Sequence, residues 1–348
     1  MLAHRCNVDR PDGTTETATV TLLTQPPRWS KQWIEGVARA SIEHAKNAIA
    51  GKRNGASQSQ SGPRVVCETL ARGLNLLNVS FNWNPPRWNV GKYVGVLRNR
   101  HALSWAIGAK MRGATFRLAA GPNIVATPDR PEFSLFVSPT INRILVPSGW
   151  VKELYSRIKP ELDSKMSVWA SGVDTEYWQP SKEVAKDTDF LVYDKARYDR
   201  LRKCVHRGLC ESGYSFETIT YGQYQQSDYR QMLRRSRYMI FLSRCETQGL
   251  AAFEAWACDV PTFAWDRGFW QHKRVCFKGA SSVPYMNPRT GGVFKLPETF
   301  CPALRSFLAR SDTFKPRDYV MSGFSITQAA SKYYGILTGQ DLEPGQSV

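Results

Sequence analysis

Long apolar runs are missing from this chain of 348 residues. No stretch reaches the ~18–20 residues that a membrane-spanning helix needs, so the chain is not expected to cross a bilayer. The opening Met1-Leu-Ala-His-Arg-Cys-Asn-Val-Asp9 lacks the apolar core of a secretory signal, and a cytoplasmic location is expected. Cys-x-x-Cys is missing as well. Of the eight cysteines (Cys6, Cys67, Cys204, Cys210, Cys245, Cys258, Cys276, Cys301), Cys204 and Cys210 lie nearest each other and bracket His206. No second pair completes a zinc site, so all eight are expected to be reduced thiols without metal. Acidic residues are scarce: 30 Asp and Glu face 47 Lys and Arg, a net charge of +17. Such a field favours anionic partners, whether nucleic acid, phospholipid headgroups or phosphate-bearing small molecules, and does not choose among them.

What is present is ordinary globular material, 42% apolar and 22% charged. The length suits two domains of ~100–200 residues each. The first eighteen or so residues are polar and expected to fray. Thr19–Thr24 has the β-branched content of a strand, a helix follows from Trp33 to Ala48, and Gly51–Gly62 reads as a loop. Pro63 opens a helix at the position where a missing N–H costs nothing. Strand and helix then alternate: Tyr93–Leu97, Ala102–Lys110, Thr115–Ala120, Arg143–Pro147, Trp150–Ile158. A second series follows the Trp178-Gln-Pro-Ser181 break, with strands at Asp189–Tyr193, Phe216–Thr220, Arg237–Leu242 and Val260–Trp265. Helices are expected at Arg197–Glu211, Ser227–Ser236, Gly249–Cys258 and finally Ser325–Leu337. Two such α/β series joined by a Pro-containing linker predict two doubly wound domains with parallel sheets, facing each other across a cleft.

Chemistry concentrates in Ser243-Arg-Cys-Glu-Thr-Gln-Gly-Leu-Ala-Ala-Phe-Glu-Ala-Trp-Ala-Cys-Asp-Val-Pro261. Glu246 stands just before a helix and Glu254 within it. Gly249 lets backbone approach a ligand, and a helix N-terminus after a parallel strand suits a diphosphate or an electron-rich sugar oxygen. Glu254 could accept two hydrogen bonds from a ribose diol. No Asp-x-Asp metal motif is read in the chain, and no divalent cation or other cofactor is expected.

This segment resembles the Glu-x7-Glu signature of the retaining glycosyltransferases of the GT-B fold, the group 1 or family 4 type. Tyr238–Ser243 before it and Pro261 after it extend the similarity, as do Ile144–Lys152, Lys165–Asp174 with Trp178-Gln-Pro180, and Ser61–Leu74. The resemblance implies a GT-B architecture. Residues 1–178 would form a Rossmann-like acceptor-side domain and 179–325 a Rossmann-like nucleotide-sugar domain. Residues 326–338 would form a helix packing back on the first domain, and 339–348 a tail.

The same resemblance implies the residue roles. Glu246 would lie beside the donor sugar and Glu254 would bind ribose. The backbone N–H groups of Gln248, Gly249 and Leu250 would hold sugar hydroxyls or phosphate. The family's diphosphate-gripping lysine falls to Lys195. Arg197 or Arg200 would stand in for its arginine, since the usual Gly-Arg form is absent. Tyr221 and Gly222 are candidates for contact with the nucleotide base, and His101, Asn123 and Asp266 for the acceptor side. The activity implied is metal-independent, retaining transfer of a sugar from a nucleotide-sugar to a glycan or lipid-linked acceptor, as in polysaccharide or lipopolysaccharide synthesis. The positive charge would then attach the protein peripherally to an anionic membrane. The alternatives are a glycosyltransferase acting on modified DNA bases and a non-catalytic nucleic-acid-binding protein with a degenerate sugar site.

Overall fold

Residues 19–49, 62–125 and 127–340 are described by the structure, a computed structural model. The polar start with Cys6, the Gly51–Gly62 loop apart from its last residue, and the tail beyond residue 340 lie outside them. The chain divides into two units, the first made of residues up to Val146, Tyr155–Trp169 and those from Ala330 onward. The second holds Pro147–Leu154 and Ala170–Ala329.

The first unit is built on six strands: β1 (Val20–Leu23), β2 (Phe81–Trp83), β3 (Tyr93–Arg98), β4 (Arg117–Asn123), β5 (Arg143–Val146) and β6 (Met166–Val168). They run in the order β2-β1-β3-β4-β5-β6, and every pairing is parallel. Parallel strands covered on both faces bury successive residues instead of alternate ones, which is why β1 and the middle of β3 are buried without a break. Helices α1 (Lys31–Ile49), α2 (Gly62–Leu76) and α3 (Arg100–Met111) connect them. Gly121-Pro122-Asn123 reads as a turn in the sequence but continues β4. The strand tolerates proline there because its pairing with β3 shifts register between Val96 and Arg98.

The last helix, α10 (Ile326–Thr338), gives its residues from Ala330 onward to this unit. Tyr333 packs edge-on against Trp169 with ring centres 5.2 Å apart, and Arg117 Nε donates to the Leu337 carbonyl at 2.8 Å. Glycine at position 95 makes room for Tyr333: a β-carbon there would stand 2.0 Å from its hydroxyl oxygen. That hydroxyl is buried and has no hydrogen-bond partner among the described residues. Tyr333→Phe is therefore expected to raise stability by ~1 kcal/mol, because it removes an unsatisfied polar group and keeps the ring. Differential scanning fluorimetry would show this as a higher melting temperature; a lower one would mean that the hydroxyl is satisfied.

The second unit has β7 (Thr188–Asp194), β8 (Phe216–Thr220), β9 (Ser236–Leu242), β10 (Thr262–Trp265), a hairpin of β11 (Phe269–His272) and β12 (Val275–Lys278), and β13 (Gly291–Phe294). Its main sheet runs β13-β10-β9-β7-β8, all parallel, while the hairpin is antiparallel and separate. The helices are α5 (Asp199–Glu211), α6 (Gln226–Arg235), α7 (Leu250–Ala257), α8 (Phe300–Leu308) and α9 (Pro316–Met321), with α4 (Gly149–Ile158) shared between the two units.

The period of two along β7, β9 and β10 sorts their side chains into two cores. Leu191, Tyr193, Met239, Phe241 and Ala264 pack with Phe253 and Trp256 of α7. Phe190, Val192, Ile240, Leu242 and Phe263 pack with Leu201 and Val205 of α5 and Phe300 and Phe307 of α8. The chain turns to opposite sides of the sheet after β7, so the carboxyl ends of β7 and β9 flank a topological switch point. Open α/β sheets bind ligands at such a point.

Candidate functional site

Lys195 follows the last residue of β7, and Ser243 follows the last residue of β9. The N–H groups of Lys195 and Ala196 both donate to the Leu242 carbonyl at 2.8 Å, which ties the two strand ends together. The Lys195 ammonium then lies 2.7 Å from Glu246 Oε1 and 2.9 Å from Oε2, and Ser243 Oγ donates to Oε1 at 2.7 Å. The pair is partly shielded, with the lysine side chain 31% and the glutamate 12% exposed. Tyr221 lies under the same ammonium, its ring centre 4.6 Å from Nζ. Trp150 Nε1 donates to the Glu246 carbonyl at 3.0 Å, and the Glu246 N–H to the Ser281 carbonyl at 2.9 Å, so the loop carrying this carboxylate is fixed from two directions.

Gly249 caps α7 in the left-handed region at φ 87°, where a side chain would be strained. Gln248 has a role that spacing cannot reveal. Its buried side chain accepts from Ser171 N at 2.9 Å and donates to Ser171 O at 2.7 Å, so it clamps the loop. Leu250 opens α7, whose other residues are apolar except Glu254 and buried except Ala251 and Glu254.

Glu254 keeps some exposed surface, yet its carboxyl is buried. Burial pushes its pKa up to about 8, against a smaller opposing effect from the Gln226 side chain, which hydrogen-bonds to it. Burial raises the pKa of the Tyr193, Tyr224 and Tyr229 hydroxyls, and the charge of Glu254 acts on all three in the same direction. Tyr193 and Tyr224 share a 2.7 Å hydrogen bond, and Tyr229 donates to the Ala251 carbonyl at 2.8 Å. At neutral pH Glu254 is a largely protonated carboxyl that can both donate and accept. The three tyrosines and Gln226 escape a reading of sequence because they converge from β7, α6 and the loop before α6. Pairs of aromatics such as Tyr221 and Tyr224 are the only local hint.

Arg197 donates through its guanidinium to the Tyr221 carbonyl at 3.0 Å, and its own N–H is held by Asp194. Gly222 turns the chain at φ 82° just beyond. Arg200 is drawn outward to an exposed ion pair with Glu298 at 2.7 Å, and nothing here brings it to Glu246. Asp266 lies beside the Glu246 loop, but both its oxygens are engaged, with Gly268 N at 3.1 Å and Ser281 Oγ at 2.5 Å. His101 and Asn123 belong to the first unit. His101 sits in the first turn of α3, where burial and Arg100 hold its pKa below the usual histidine value. Asn123 ends β4 with a buried amide nitrogen that has no partner among the described residues.

The chain does contain an Asp-x-Asp string, Asp187-Thr188-Asp189, which corrects the reading that no metal-binding motif occurs. It lies at the amino end of β7, remote in sequence register from Lys195 at the carboxyl end. Asp187 is bound to Arg235 at 3.1 Å and Asp189 to Ser215 at 2.9 Å, so both carboxylates serve as surface ties. Among the described residues no cluster of His, Cys, Asp and Glu has the makings of a metal site, and the seven described cysteines form no disulfide.

No protein-family model matches the chain, and no curated protein matches it by sequence. Solved structures do match. A glycosyltransferase from Rickettsia africae is 13% identical, with a TM-score of 0.55, over 93% of this chain and 100% of that one. The lipopolysaccharide outer core galactosyltransferase WaaB is 11% identical, with a TM-score of 0.53, over 92% of this chain and 99% of that one. The fold is GT-B. The catalytic domain of starch synthase IV from Arabidopsis thaliana, bound to ADP and acarbose, is 12% identical with a TM-score of 0.50, over 79% of this chain and 76% of that one. Within this GT-B chain the Lys195–Glu246 pair and the α7 amino end share one unit, at the carboxyl edge of its sheet.

Proposed function

We propose that the chain is a retaining glycosyltransferase which moves a sugar from a nucleotide-sugar to a glycan or lipid-linked acceptor without a divalent cation. The observation that carries this reading is the Lys195–Glu246–Ser243 cluster at the switch point of the second sheet, beside the Gly249-capped start of α7. Breaking a glycosidic bond to a diphosphate needs positive charge placed in advance where negative charge develops. Lys195 supplies an ammonium and α7 a helix amino end. Glu246 is positioned to accept from a sugar hydroxyl, and Glu254 to hold a ribose diol. In same-face transfer the C1–O bond to the diphosphate breaks, the acceptor hydroxyl attacks C1, and its proton passes to the departing phosphate oxygen. That the structurally similar starch synthase binds ADP and acarbose supports a nucleotide donor and a glycan acceptor. The similarity to a lipopolysaccharide galactosyltransferase supports a lipid-linked acceptor. The net charge of +17 suits peripheral attachment to an anionic membrane.

A thermal-shift screen of UDP, GDP, ADP and dTDP with their common sugar conjugates tests the donor site. A ligand at 100 times its dissociation constant adds ~2.7 kcal/mol, a shift of several degrees. One base should stabilise the protein, and Glu254→Ala should abolish that shift. If no nucleotide shifts the wild type, or if Glu254→Ala keeps the shift, the donor site has been misplaced.

A further inference from the structure

Between Asp266 and Glu298 the chain has no acidic residue, while Arg267, Lys273, Arg274, Lys278, Arg289 and Lys295 carry six positive charges. The segment begins with Arg267, directly after the carboxyl end of β10. Its guanidinium carbon lies 4.9 Å from the Trp265 ring centre and 4.4 Å from that of Phe269. Its Nε is buried with no hydrogen-bond partner, and it forms no ion pair among the described residues. The adjacent Asp266 does not bind it, because both oxygens of that carboxylate are held by Gly268 and Ser281. Phe269 is exposed on the outward face of the hairpin, and the register of β11 with β12 sets Lys278 directly opposite it. On the other face Trp270 stacks on Phe277 at 5.2 Å, which anchors the hairpin.

This cationic and aromatic surface adjoins the Lys195–Glu246 cluster. Ser281 receives the Glu246 N–H on its carbonyl and donates its hydroxyl to Asp266, so the two loops share one residue as a hinge pin. The Cys245 thiol feels the charges of both Lys195 and Arg267. A guanidinium held between ring faces keeps its in-plane N–H groups for an oxyanion, which it can grip with two parallel bonds.

We propose that Arg267, with Phe269 and Lys278, forms an anion subsite next to the donor site that takes a carboxylate or phosphate borne by one of the two sugar substrates. The subsite rests on the reading of the second unit as the nucleotide-sugar domain, and it assigns that enzyme a charged rather than a neutral sugar. Lysine at position 267 would keep the charge but lose the fork.

Calorimetry tests this in two arms. In the donor arm, a nucleotide-uronic acid is compared with the matching neutral nucleotide-hexose, using the base found in the screen. In the acceptor arm, glucose 6-phosphate, glucuronate and glucose are titrated against protein already saturated with the nucleoside diphosphate. In one arm the anionic sugar should bind about tenfold or more tighter than the neutral one. R267Q should erase that preference, R267K should keep part of it, and the nucleoside diphosphate itself should bind R267Q as it binds wild type. Equal binding of charged and neutral sugars in both arms overturns the proposal, as does a preference that survives R267Q. Weakened binding of the bare nucleoside diphosphate to R267Q also overturns it, because Arg267 would then belong to the diphosphate. If no nucleotide binds at all, the donor reading fails on its own, and the acceptor sugars are then titrated against the free protein: a glucose 6-phosphate or glucuronate preference lost in R267Q leaves the anion subsite standing, and equal binding of the three overturns it.

Discussion

Lys195→Ala is expected to lower turnover about 10²–10³-fold, the usual loss when one preorganised charge facing a developing oxyanion is removed. The ammonium sits within 2.9 Å of both oxygens of Glu246, so it is already in place before any donor arrives and needs no reorganisation in the reaction. Its removal leaves the Glu246 carboxylate with the Ser243 hydroxyl as its side-chain donor and, in the proposed reaction, takes the positive charge away from the departing diphosphate. Most of the loss should therefore fall on kcat and less on the donor KM. Steady-state transfer with the donor found in the screen measures both. Because the two side chains act as a pair, Glu246→Gln combined with Lys195→Ala should cost less than the sum of the single changes. A raised KM with unchanged kcat would make Lys195 a binding group alone.

Glu254→Gln is expected to stabilise the free protein at alkaline pH and to change it little in acid. The folded protein holds this carboxyl's pKa at about 8, against 4.5 for an unhindered glutamate. Between those values the folded state keeps a proton that the unfolded chain has released. Stability from this group is thus complete below the lower value and is lost as pH rises through the upper one, by ~1.4 kcal/mol per pH unit at most. Glutamine has no charge to bury and escapes the loss. Melting curves of the two proteins should coincide near pH 4 and separate by several degrees at pH 9. A gap that stays constant across pH would show that glutamine acts through packing and that the carboxyl titrates normally.

The sequence makes some elements plain and hides others for identifiable reasons. Strands β7, β9 and β10 are legible because burial on both faces turns them into apolar runs. β2 and β13 are short and contain Asn82 or paired glycines, so nothing local marks them as strands. The β11–β12 hairpin hides behind a run of aromatics and a Lys273-Arg274 turn that lacks the usual Asn-Gly or Asp-Gly signal.

In the candidate site, the spacing of Glu246 and Glu254 around Gly249 points to a strand, a tight turn and a helix, and these are where the structure has them. The side-chain partners are another matter. The clamp of Gln248 on Ser171 spans 77 positions and the Lys195–Glu246 pair spans 51, distances over which no periodicity operates. Arg197 and Arg200 look equivalent in the sequence. The structure separates them because Glu298, far along the chain, captures one and the Tyr221 carbonyl receives the other.

The contribution of α10 to the first unit has a consequence for biosynthesis. Arg117 must wait for Leu337, 220 positions later, and the space at Gly95 is filled only when Tyr333 arrives. Nearly all of the second unit, Ala170–Ala329, has by then left the ribosome. Vectorial synthesis thus inverts the order of the gene: the later-encoded unit has its whole core available first, and the earlier one stays open, dependent on the final helix to close it.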